Sequence, residues 1–262
     1  MKDFLIAVGT CPKNFNFIKH YDDLFKFYNF DNYIYFYGTD KLNHDKSVCL
    51  NTSDCYSNLT KKTFLLFKYF IEHREEEYLV KIDDDTFIDI DELKKIDTKN
   101  YDIIGKRASL KNHMLTVKNS YKKYIKQNNL RKNYNFDYLK QIKNVDFDYT
   151  EGNFVIFSRD LIINILNTAK KIINENNIDI TAIPQEDIAV GYVCSKINHK
   201  ILDIKYIFFD HTFYGIDNLN IHFHPIPVIL LKKMIKNKNF EDRLKLCKDF
   251  IFLNKYFLSS KK

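Results

Sequence analysis

Three short apolar runs punctuate the first third of the chain: Phe4 to Val8, Tyr33 to Tyr37 and Tyr78 to Ile82, each closed by a polar residue or a glycine. Runs of this length with such boundaries predict buried β-strands. Between the second and third, Leu59, Thr63, Leu66, Phe67 and Phe70 recur at helical spacing, which predicts a helix over Leu59 to Ile71 with one apolar face. Strands separated by helical segments pair in parallel within an α/β sandwich. Further strands are expected at Ile103-Ile104-Gly105, Phe154 to Phe157 and Ile201 to Phe209. Ser158 is placed to cap a helix whose stripe is Leu161, Ile162, Ile165, Leu166, Ala169, Ile172 and Ile173. Another short helix follows Pro184-Gln185-Glu186-Asp187. Periodicity fades from about Lys106 to Asp148, as expected of a long surface excursion near a site. No repeat or linker interrupts the pattern, so one domain over residues 1–262 is expected, ending in basic amphipathic helices from about Ile226.

Composition narrows the class. A chain of 262 residues, 45% hydrophobic and 29% charged, is long enough and apolar enough to bury a globular core. No apolar run reaches the ~20 residues that cross a bilayer, and the N-terminus enters a strand without a signal-peptide cleavage site. The expectation is a soluble chain. The five cysteines are scattered, without a Cys-x-x-Cys pair, so neither a zinc knuckle nor a full disulfide framework is indicated. A reducing compartment is the simpler inference. The net charge of +7 comes largely from lysines spread over the chain, and solvated helix faces account for them without a nucleic-acid partner. With 18 Tyr, 23 Phe and no Trp, the chain matches AT-rich codon usage, which raises basic charge on its own.

Candidate chemistry begins at Val80-Lys81-Ile82-Asp83-Asp84-Asp85-Thr86-Phe87-Ile88. Residues i and i+2 of a strand share a face, so Asp83 and Asp85 point the same way at the edge where open α/β sheets bind ligands. Paired carboxylates there suit a divalent ion carrying a phosphorylated substrate. The competing reading is an acidic turn before a helix capped at Asp89 or Asp91. Glu186-Asp187, by itself, reads as the first turn of a helix, where carboxylates complement the macrodipole. Toward the C-terminus, alternation sets His222 and His224 opposite Ile221 and Phe223.

In order along the chain stand Leu5-Ile6-Ala7-Val8-Gly9-Thr10, Asp54-Cys55-Tyr56-Ser57-Asn58-Leu59-Thr60-Lys61-Lys62-Thr63, the aspartate run, Tyr149-Thr150-Glu151-Gly152 and Glu186-Asp187-Ile188-Ala189-Val190-Gly191. This succession resembles the galactosyltransferase-like β-1,3-glycosyltransferases, glycosyltransferase family 31, which include the Fringe proteins. The likeness runs over about residues 4–230. It implies an α/β fold of GT-A type, a nucleotide-binding sandwich with a mixed, mainly parallel central sheet flanked by helices. It also implies a UDP-sugar donor and a manganese ion, with magnesium as second choice.

By the same resemblance, Asp83 faces the ribose or the water shell of the metal, and Asp85 ligates the metal directly. Val8, Gly9 and Thr10 match the uridine-contacting edge, and Lys62 the lysine of the N-L-T-x-K-T segment. Asp54, Asp84, Gly152 and Glu186 complete the implied nucleotide-sugar set. Asp187 matches the general base that the chemistry needs, since an acceptor hydroxyl must lose its proton as it attacks an oxocarbenium-like carbon. A C-terminal histidine closes the metal shell, His222 before His224, with His211 third. The implied activity is inverting, metal-dependent transfer of galactose, GlcNAc or glucose to a hydroxyl of a glycan or glycoprotein, in β-1,3 linkage. Two rivals are a nucleotide-sugar-binding module without catalysis and a metal-dependent phosphoryl hydrolase.

The chain also departs from the family. It carries no membrane anchor or stem, which suggests a cytoplasmic viral or microbial relative, or else a lumenal domain trimmed of its anchor. The glycine-rich turn is thinned to Gly152-Asn153-Phe154, so donor and acceptor choice does not carry across. The Lys106 to Asp148 stretch matches poorly, and acceptor specificity is expected there.

Overall fold

The computed structural model describes residues 3–39, 42–84, 86–88, 90–111, 146–176, 178–183, 185–204 and 208–210. In chain order these form strand β1 (Phe4–Gly9), helix α1 (Ile18–Phe27), β2 (Tyr33–Tyr37), β3 (Ser47–Cys49), α2 (Leu59–His73) and β4 (Tyr78–Asp83). Then follow β5 (Thr86–Ile88), α3 (Ile90–Lys95), β6 (Ile103–Ser109), β7 (Asp148–Ser158), α4 (Arg159–Asn176), α5 (Glu186–Cys194), β8 (Ile201–Asp203) and β9 (Phe208–Asp210).

Seven strands make one sheet in the order β3-β2-β1-β4-β7-β6-β8, and β5 pairs with β9 in a small second sheet. Four of the six pairings in the large sheet are parallel; β7 runs antiparallel to both of its neighbours, β4 and β6. The sheet is therefore mixed and mainly parallel, as expected. Its central strands are covered on both faces, which is why they read as unbroken apolar runs rather than as alternation. Leu5, Ala7, Leu79, Val155 and Phe157 share a core with residues of α2, α4 and α5. Phe4, Ile6, Val8, Val80 and Ile82 point the other way, into a core with α1 and α3.

Several elements differ from the sequence expectation. The run from Ile201 to Phe209 divides into β8, parallel to β6 in the large sheet, and β9, antiparallel to β5 in the small one. An apolar run does not say which neighbour will hydrogen-bond to it. Strand β7 starts at Asp148 and β6 extends to Ser109, past a bulge between Gly105 and Arg107, so both ends of the expected surface excursion are sheet. Residues 112–145 lie outside the described residues, as do the helices expected from Ile226. Helix α3 begins at Ile90, which puts Asp91 inside its first turn rather than at its cap, and Asp89 is outside the described residues.

Ser158 does cap α4, its hydroxyl accepting from the Leu161 amide at 3.2 Å. The expected stripe of α4 is buried or half-buried except Ile173, which lies at the stripe's edge in the last turns and is 40% exposed. Cys11, Cys49, Cys55 and Cys194 are free thiols. Among the described residues no helix is long and apolar enough to cross a membrane.

Helix α5 packs directly on β7, and the contact requires a glycine. A Cβ on Gly191 would lie 2.3 Å from the Cβ of Tyr149, where backbone and side chain are both buried. Alanine is the better helix former by up to ~1 kcal/mol, but the overlap forces α5 off the strand. Gly191→Ala is therefore expected to cost about 1–3 kcal/mol in total. Urea denaturation checks this, and unchanged stability would mean that α5 can shift freely.

Candidate active site

Strands β1 and β4 are parallel neighbours and end in register, with Gly9 opposite Asp83. Thr10 and Asp84 therefore leave the sheet together at its C-terminal edge, the edge at which open α/β sheets bind ligands. The Asp84 amide donates to the Gly9 carbonyl at 3.0 Å. The Thr10 hydroxyl donates to Asp84 Oδ2 at 2.8 Å, and Asn14 Nδ2 to Asp84 Oδ1 at 3.0 Å. Burial pushes the Asp84 carboxyl up to about 6, with the Asp83 charge adding to the shift and the Thr10 and Asn14 bonds opposing it.

Behind this edge, Lys62 Nζ donates to the Thr10 carbonyl at 2.8 Å and to Asp54 Oδ1 at 2.7 Å. Asp54 in turn accepts from the Gly38 amide, 2.9 Å from each oxygen. With side chains only 7% and 9% exposed, Lys62 and Asp54 brace the end of β1 against the loops after β2 and β3. Val8 is buried in the core, and Gly9 has no room for a side chain: a Cβ would sit 2.8 Å from the Phe36 ring.

The turn after β4 is held from two sides. The Tyr21 hydroxyl reaches the carbonyls of Thr86 at 2.6 Å and Asp83 at 3.2 Å, and Thr86 Oγ1 donates to the Asn153 carbonyl at 3.2 Å. Neither Tyr21 nor Asn14 stood out in the sequence; both come from the helical segments after β1, and no local pattern ties them to the aspartates.

Alternation along β4 sends Lys81 to the same face as Leu79, toward α5, in a strand whose other residues from Tyr78 to Ile82 are apolar. Lys81 is 4% exposed. Its ammonium donates to Asp83 Oδ1 at 3.1 Å, to the Gly152 carbonyl at 2.7 Å and to Glu186 Oε1 at 3.2 Å. Burial disfavours the charge on Lys81, yet Asp83 and Glu186 outweigh it and raise the pKa above the ordinary lysine value. Glu186 arrives from the first turn of α5, over Gly152. A Cβ on Gly152 would fall 2.7 Å from Glu186 Oε1, so the strand must be bare there for the carboxylate to seat.

Asp187 occupies the same turn, with Oδ1 accepting from the Ile188 amide at 2.8 Å. Burial pushes its carboxyl up to about 7, helped by the charge on Glu186 and opposed by that Ile188 bond and Lys81. A carboxylate whose proton comes and goes near neutrality suits general-base work.

Asp83 keeps a side chain 42% exposed at the edge, presenting hard oxygen of the kind that Mn2+ or Mg2+ takes. That donor chemistry fits the implied ion. Asp85, His211, His222 and His224 lie outside the described residues. Among the described residues, no group of three or more His, Cys, Asp or Glu side chains is assembled to hold a metal.

A family model described as Galactosyltransferase matches residues 37–205, more than half of the chain. The chain belongs to the galactosyltransferase family, whose members are glycosyltransferases. No curated protein matches it. Solved structures similar to it include the apo form of the glycosyltransferase GlyE of Streptococcus pneumoniae TIGR4 (TM-score 0.37, 8% identity, 77% of this chain and 45% of that one). A glycosyltransferase involved in glycosylation of the major capsid of PBCV-1 gives a TM-score of 0.41 at 11% identity, over 76% of this chain and 80% of that one. The galactosyltransferase LgtC, in complex with donor and acceptor sugar analogs, gives 0.42 at 7% identity, over 75% of this chain and 71% of that one. The match thus spans less than half of the GlyE chain.

Asp84 and Asp187 bind their protons more tightly folded than unfolded, their values lying at about 6 and about 7 against an ordinary 3.8. In that window the native state holds more protons, so stability falls as pH rises through it. Asp187→Asn removes one such group while its Oδ1 can still accept from Ile188. The variant is expected to lose less stability than the parent between about pH 5 and about pH 8. Chemical denaturation at the two pH values checks this; equal losses would show that Asp187 holds no extra proton.

Proposed function

We propose that this chain is a metal-dependent inverting glycosyltransferase that moves galactose, GlcNAc or glucose from a UDP-sugar to a hydroxyl of a glycan or glycoprotein, in β-1,3 linkage. The chain would act as one glycosyltransferase domain. The observation that carries this reading is the meeting of Asp83, Gly152 and Glu186 on one buried ammonium, with Asp187 in the same helical turn. The nearness of Asp83 to the helical turn that carries the candidate base supports a reading in which the donor and acceptor sites adjoin. A simple phosphoryl hydrolase would have no use for the second element.

On this reading the Gly9-Thr10 edge takes the uridine, with Asp84 anchored beneath it by Thr10 and Asn14. A divalent ion held by Asp83, Asp85 and a C-terminal histidine, His222 or His224, supplies charge neutralisation for the diphosphate when bound. Asp187 accepts the proton of the acceptor hydroxyl while that oxygen forms its bond to the anomeric carbon. The bond from that carbon to the diphosphate breaks in the same displacement, and UDP leaves with the electron pair. One displacement inverts the centre, so an α-linked donor gives a β-linked product.

UDP release from a panel of UDP-sugars, with and without manganese, tests the reading, together with product stereochemistry by NMR. Asp187→Asn should lower turnover about a hundred- to ten-thousandfold and leave manganese-dependent UDP affinity nearly intact. Asp85→Asn should remove most of that affinity in calorimetry. Parent turnover should rise with pH through about 7, as Asp187 loses its proton. UDP binding without turnover would indicate a binding module instead. An α-linked product, or near-normal turnover of Asp187→Asn, would overturn the mechanism.

A further inference from the structure

The chemistry proposed above employs Asp187 and the aspartates behind β4, and it leaves the buried Lys81 without a task. A lysine ammonium has three protons to donate. Here they meet three acceptors, Asp83 Oδ1 at 3.1 Å, the Gly152 carbonyl at 2.7 Å and Glu186 Oε1 at 3.2 Å. None is left for a substrate. The acceptors belong to three separate elements, β4, β7 and α5, each of which supplies part of the candidate site. Filling the core does not call for a charge at this position, because apolar residues of similar volume commonly replace buried ion pairs without loss of stability.

We propose that Lys81 is a positioning residue: its ammonium clamps Asp83 and Glu186 to the Gly152 carbonyl, setting the nucleotide end of β4 against the base on α5 and offsetting the Glu186 charge beside Asp187. The proposal rests on the glycosyltransferase reading and adds to it a device that couples the two halves of the site. The charges that act on the Asp187 carboxyl are those of Glu186 in its own helix, Lys81 on β4 and Glu151 on β7. Of these, only Lys81 favours the ionised form that a base needs. Losing it would both release Glu186 and leave Asp187 among like charges.

The test compares Lys81→Met, Glu186→Gln and the double variant with the parent chain, each checked for folding by circular dichroism. Lys81→Met is expected to reduce kcat about a hundredfold, the usual effect of a misplacement of about 1 Å. Its pH–rate limb should move up by roughly one unit. The double variant, which leaves no carboxylate on residue 186 facing the gap, should regain about tenfold of the lost kcat and return the limb toward the parent. Titration of the Asp187 carboxylate by 13C NMR reads the same coupling without turnover, rising in Lys81→Met and falling back in the double variant.

A folded Lys81→Met protein with parental kcat and an unmoved Asp187 titration overturns the proposal. If Lys81→Met does not fold, Lys81→Gln, which removes the charge but keeps a hydrogen-bond donor, takes its place: Asp187 should titrate higher by roughly one unit, and an unchanged titration overturns the proposal. Should the parent release no UDP from any donor, the transferase reading falls by itself, and the NMR titration still decides the role of Lys81.

Discussion

A lysine ammonium buried among the apolar residues of β4 is the constraint on which this site depends. An isolated buried ammonium is penalised by several kcal/mol, so Lys81 can remain in the core only where acceptors surround it. Asp83 comes with the strand itself, two residues on. Gly152 and Glu186 must be delivered by other elements, and the fold is arranged so that they are.

The antiparallel insertion of β7 between β4 and β6 makes that delivery possible. Because β7 runs against β4, it starts near the site edge and ends at Ser158 opposite Tyr78, on the far side of the sheet. Helix α4 then has 18 residues, roughly 27 Å at helical rise, in which to return across the sheet. It brings the chain back to the site edge, where the Ile183 carbonyl accepts from Thr60 at the start of α2 and α5 begins immediately after. Had β7 been parallel to β4, α5 would start at the wrong edge. The two glycines serve the same geometry, Gly191 letting α5 lie close to β7 and Gly152 letting Glu186 reach the ammonium.

The site is held at some expense of stability. Burial raises the carboxyls of both Asp84 and Asp187, while the side chains of Lys81 and Lys62 are themselves buried beside carboxylates. Such concentrations of perturbed carboxylates are typical of functional sites. The compensation lies in the apolar strands beneath, where β1 and β4 are covered on both faces, and in the hydrogen bonds that leave the buried ions partnered.

Much of the scaffold was legible in the chain itself. Strands β1, β2 and β4 and helix α2 were readable because each buries a continuous or regularly spaced apolar set, a property local to a few residues. The aspartate run was readable as candidate chemistry and Glu186-Asp187 by itself only as the first turn of a helix; it was the order of the segments along the chain that pointed to the family. What the sequence could not disclose is who meets whom. Lys81 and Glu186 are 105 positions apart, and Thr10 and Asp84 are 74 apart. The polar first half of β7 carried no strand signal, and β8 and β9 looked like one strand. Those outcomes turn on strand order and register, which are set by the packing of the whole sheet, and no local periodicity encodes which distant backbone a given strand will face.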